Sequence, residues 1–120
     1  MEITEFKTIK LHLSGMRFSD DYEIVCEGEN TTVTEYQRGL RDNEHTTSVT
    51  RATNEVLDVL NKCGVVDWDG FYGPHPDDVQ DGMMFNLRAK INGKSIRAEG
   101  SENVPPHFHE LTEFIYKALR

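Results

Sequence analysis

The sequence predicts an α+β fold: a two-layer sandwich in the order β-β-β-α-β-β-α, with an antiparallel sheet of about five strands and two helices on one face. Three observations predict it. Met83, Phe85, Leu87, Ala89 and Ile91 alternate with Met84, Asn86, Arg88, Lys90 and Asn92, the period of a half-buried strand. Val49, Ala52, Val56, Leu60 and Cys63 recur at spacings of three and four, the period of a one-faced helix. Phe108, Leu111, Ile115, Ala118 and Leu119 form a second stripe of that kind. Two one-faced helices need a sheet to bury against, and strands joined by tight turns must be antiparallel neighbours.

The elements follow in order. Ile9, Leu11 and Leu13 alternate with Lys10 and His12 in a first strand closed by Gly15. Tyr22, Ile24 and Cys26 form the apolar phase of a second. A turn at Gly28-Glu29-Asn30 leads into the β-branched run from Thr31 to Thr34, which extends through Tyr36 as a third strand. Residues 39–44 are polar and read as a loop. Thr46, Thr47 and Ser48 are candidate N-caps for the first helix, whose outer face would pair Arg51 with Glu55 and Asp58 with Lys62. Gly64 supplies the C-terminal stop. Asn92-Gly93 is a two-residue type I′ turn, because both central positions need positive φ. Ile96 and Ala98 mark the returning strand, and Pro105 and Pro106 open the last helix, with Glu113 and Lys117 paired outside.

At 120 residues the chain fits one domain, residues 1–120, with no internal linker. Its 13 basic against 21 acidic residues give a net charge of −8, a field that repels phosphate backbones and anionic headgroups. Nucleic-acid and membrane roles are therefore not expected. The first residues lack the basic and uninterrupted apolar regions of a signal peptide. Cys26 and Cys63 are too few for a disulfide framework, so both are expected to be reduced thiols in a cytoplasmic protein.

The most distinctive stretch is residues 65–82, which holds the only Trp, two further aromatics, five Asp and a His between two Pro. Through Trp68-Asp69-Gly70-Phe71, Asp81-Gly82 and Gly100-Ser101 followed by Pro105, the chain resembles a group of small uncharacterised bacterial α+β proteins. Its Gly100-Ser101-Glu102-Asn103 departs from the G-S-N run of that group. The resemblance covers roughly residues 9–119 and implies a fold unit, not a reaction.

Asp77, Asp81 and Gly82 match positions one, five and six of an EF-hand loop, but Val79 and Arg88 occupy positions that need ligands. His107-x-His109, with His75, Cys26, His45 or His12, could supply zinc ligands, but i and i+2 at a helix start point to different faces. No G-x-S-x-G elbow is present. Cys63 ends a helix, where the dipole disfavours a thiolate. Gly93-Lys94-Ser95 lacks the first Gly of a P-loop. Pro105 and Pro106 remove N–H groups that an anion at the last helix would use. No catalytic residue, metal site or cofactor is therefore expected.

Trp68, Asp69, Phe71, Tyr72, His75, Asp77, Asp78 and Asp81 are the candidate binding residues, although Trp68 and Phe71 are expected to be largely buried as a plug at the end of the core. The expected function is a non-enzymatic binding or accessory role, immunity-like or inhibitor-like. A basic protein partner and a monomer or weak homodimer are expected with it. The alternative is a cation-binding protein or small enzyme using the Asp/His-rich loop 67–81.

Overall fold

The computed structural model describes residues 2–15, 19–38, 44–73 and 83–119. The strands are β1 (Phe6–Ser14), β2 (Ser19–Glu27), β3 (Asn30–Arg38), β4 (Glu44–Ala52), β5 (Tyr72–Gly73), β6 (Met84–Ile91) and β7 (Lys94–Ser101). The helices are α1 (Thr53–Cys63) and α2 (Phe108–Leu119), and a 3₁₀ turn covers Val65–Trp68. All seven strands join one sheet in the order β4-β3-β2-β1-β6-β7-β5. The α+β class agrees with the sequence reading, but the sheet is larger than five strands and is mixed, because β5 runs parallel to β7.

The additional long strand corrects the helix boundary. Thr46, Thr47 and Ser48 are not N-caps, and Val49 and Ala52 are not helical; all belong to β4, which pairs with β3 along its whole length. Thr and Val favour the pleated backbone, and Val49 lies in the same cross-strand row as Ile9, Ile24 and Val33. A spacing of three from Val49 to Ala52 imitated a helical repeat. The helix starts at Thr53 with Ala52 as N-cap and no capping side chain. Instead the Thr53 N–H donates to the Glu29 carbonyl (2.9 Å), and its hydroxyl donates to the Gly28 carbonyl (2.8 Å). Arg51 accordingly does not pair with Glu55; its Nη2 donates to the Ala118 carbonyl at 3.2 Å.

Most other elements follow the expected pattern, but α2 begins at Phe108, past Pro105 and Pro106 rather than at them, and Asp58 and Lys62 are not among the ion pairs of the described residues. Asn92 and Gly93 take φ values of 52° and 75°, as a type I′ turn requires. Gly64 ends α1 in the left-handed region, and Glu113 meets Lys117 at 2.9 Å. Alternation puts Ile9, Leu11, Leu13, Ile24, Val33, Phe85, Leu87, Ile91 and Ile96 on one face. There they form a single cluster with Val56 and Leu60 of α1 and with Phe108, Leu111 and Ile115 of α2. Both helices therefore cover the same face. The opposite face has no covering layer among the described residues.

Two asparagines tie the N-terminal segment to this core. Asn61 accepts from the Ile3 N–H (2.7 Å) and donates to its carbonyl (3.0 Å). The Asn92 side-chain oxygen accepts from the N–H groups of Thr4 (3.0 Å) and Glu5 (3.2 Å), and its amide donates to the Glu2 carbonyl (2.9 Å). Ile3 is buried as a result.

Candidate functional site

The structure divides the expected binding residues. Gly64 turns the chain out of α1 into the 3₁₀ turn, which carries Val65 and Trp68 into the core. Trp68 is 3% exposed, with its ring 5.9 Å from Phe108, and Phe108 in turn lies 4.7 Å from Phe85. Phe71 is half-buried, 6.0 Å from Phe85. A turn closed by the Phe71 N–H on the Trp68 carbonyl (2.9 Å) joins them. Asp69 points to the sheet, where Oδ1 accepts from the Arg97 N–H at 3.0 Å. Trp68-Asp69-Gly70-Phe71 is thus a plug docked on β7, and only Tyr72, 68% exposed, offers a large free surface. His75, Asp77, Asp78 and Asp81 lie outside the described residues.

The described histidines and thiols do not converge. His107 Nδ1 meets Glu110 Oε1 at 2.9 Å, and His109 packs edge-on against Phe108. No group of three or more His, Cys, Asp or Glu side chains could hold a metal among the described residues. Cys63 is buried; burial, with the Glu110 charge adding to it, pushes its thiol up to about 11. Such a thiol is protonated at neutral pH and inert. Cys26 is half-buried beside the Thr53 hydroxyl.

What the fold assembles instead is the uncovered sheet face. Lys10 stands opposite Arg88, and Arg88 opposite Arg97, so three cations lie side by side across β1, β6 and β7. Lys90 is on the same face one step along, and all four are exposed. Glu99 is the single carboxylate at the outward positions of these three strands. None of the four cations has a salt bridge among the described residues, where the ion pairs are His12–Asp21, His107–Glu110 and Lys117–Glu113. His12 Nδ1 and Asp21 Oδ1 meet at 2.6 Å in the neighbouring row.

Of the large apolar side chains exposed among the described residues, Tyr36, Tyr72 and Met84 stand at outward positions of this face, and only Tyr116 is elsewhere. The signal in the sequence was the polar phase of each strand. Its meaning depends on β1 lying beside β6, which is distant along the chain, so spacing alone could not supply it. No protein-family model matches the chain, and no curated protein matches it at a significant level. Among the described residues no helix is long and apolar enough to cross a membrane.

Proposed function

We propose that the protein is a non-enzymatic cytoplasmic binding or accessory protein that works by contact with another protein through the uncovered face of β1, β6 and β7. The observation that carries this reading is the row Lys10–Arg88–Arg97. Like charges directly opposite on neighbouring strands destabilise a sheet. Glu23 of β2 faces Lys10 from its other side, but Arg88 and Arg97 have no carboxylate directly opposite, and no ion pair relieves any of the three among the described residues. Stability given up at a surface in this way is the mark of a functional constraint. Tyr72 and Met84 lie to one side of the row, in line with Glu99 and Ser101, and supply the apolar anchors that contact surfaces use. The net charge of −8 favours encounter with a basic partner. The cation row then requires carboxylates at the matching place on that partner, which fixes orientation.

Affinity capture from the native host, read by mass spectrometry, tests this with three baits. The parent and an Asp77→Asn/Asp81→Asn variant should retain the same protein, and an Arg88→Gln/Arg97→Gln variant should lose it. Loss with the Asp variant alone would favour the cation-binding or enzymatic reading of loop 67–81.

A further inference from the structure

The two edges of the sheet differ sharply. β5 presents only two residues, whereas β4 presents nine. Native edge strands are normally blunted by Lys, Pro, a bulge or a covering segment. β4 contains neither Lys nor Pro and pairs with β3 in unbroken register from Asn30↔Ala52 to Arg38↔Glu44. Its one Arg, Arg51, folds back onto the Ala118 carbonyl rather than projecting along the edge. The central run Thr46-Thr47-Ser48-Val49-Thr50 has strong strand formers and no charge. Among the described residues, no backbone–backbone hydrogen bond outside the β3 ladder involves this run; its one other backbone contact is the Thr50 carbonyl accepting from Arg51 Nη1 at 3.5 Å.

We propose that β4 is a pairing edge for a second copy of this chain, with two β4 strands antiparallel across a two-fold axis at Ser48. Residues opposite one another in an antiparallel pair share a face. An axis at Ser48 therefore sets Thr47 against Val49 on the helix-covered side and Thr46 against Thr50 on the open side. Ser48 meets its own copy, and the helices of both molecules stay on one side of a continuous sheet. The Ser48 hydroxyl already bonds Thr34 across the ladder at 3.0 Å, and the pairing extends that chain of hydroxyls into the second molecule. A foreign peptide is selected by side-chain pockets or charges, and this run carries no charge, whereas a second copy needs only the matching register. The pairing uses a different surface from the proposed contact face and stands independently of it.

One strand's edge is small beside the roughly 1,200–2,000 Å² of a standard stable interface, so the dimer is weak and concentration-dependent. Each copy carries a charge of −8, and salt screens that repulsion. Sedimentation equilibrium from about 5 to about 500 µM, a range chosen because self-association follows mass action, tests the proposal. The mass should rise from 13.8 kDa toward twice that value, and rise further in high salt. Ser48→Lys, on the exposed face, should stay monomeric with an unchanged melting temperature. Ser48→Cys should cross-link to its copy with oxidised glutathione, and Thr50→Cys, which faces Thr46 of the copy, should not. A parent monomeric throughout, a dimer that persists in Ser48→Lys, or equal cross-linking at both positions would overturn it.

Discussion

Trp68 joins the end of α1 to the aromatic cluster of Phe85 and Phe108, so its removal opens a cavity that rigid neighbours cannot close. Trp68→Ala should cost about 3–5 kcal/mol in urea unfolding, much of the ~5–15 kcal/mol that holds a domain of this size. An unchanged midpoint would place the ring outside the core. Cys63 should resist a thiol reagent in the native state and label rapidly once unfolded, because burial holds it as the thiol. Asp20 titrates above the ordinary carboxylate range, through burial first and the Asp21 charge second. Its folded pKa exceeds its unfolded one, so the native state binds the proton more tightly and ionisation costs stability as pH rises. Asp20→Asn should therefore melt at or above the parent at neutral pH and converge with it in acid; a variant that melts below the parent only at neutral pH contradicts the sign.

At the level of elements, the β6–β7 hairpin was fully legible, because clean alternation and Asn92-Gly93 each demand the same geometry. The β4–α1 boundary was not. Local cues at Thr46 to Ser48 suit a cap or a strand equally, and what decided between them was pairing with β3 and the Glu29 carbonyl waiting for the Thr53 N–H. β5 was invisible for a related reason. Two residues carry no period, and Tyr72-Gly73 becomes a strand only because Gly100 of β7 and Gly73 both let Asn103 approach closely. A Cβ at Gly100 would meet the Asn103 carbonyl oxygen and would lie 2.8 Å from Phe85 Cε1. Gly100→Ala should cost about 1–3 kcal/mol, as overpacking does; a variant with parental stability in the same unfolding measurement would show that Asn103 yields freely. Relief of like charges gives the opposite sign on β6. Arg88→Gln should raise stability by a few tenths of a kcal/mol, roughly the scale of cross-strand pairs, and a measured loss would mean that Arg88 is already compensated.

Over the whole molecule, charge and topology together frame the proposed contact face. A net charge of −8 hides a three-strand patch of β1, β6 and β7 on which Lys10, Arg88, Lys90 and Arg97 outweigh Glu99, with Asp21 and Glu23 of β2 beside it. Composition reveals only the total. The aromatic part of the 65–82 stretch that stood out in the sequence is largely structural: Trp68 is internal and Asp69 is engaged with β7. Of its described residues, Tyr72 alone joins the proposed contact face, beside residues from strands that gave no individual sign of a role. Hydroxyl-radical footprinting of the protein bound to its captured partner tests the central claim most directly. Tyr72, Met84 and the Lys10 and Lys90 side chains should be protected, with Tyr116 on the helix layer as reactive as in the free protein. Protection of Tyr116 with Tyr72 and Met84 unchanged would contradict it.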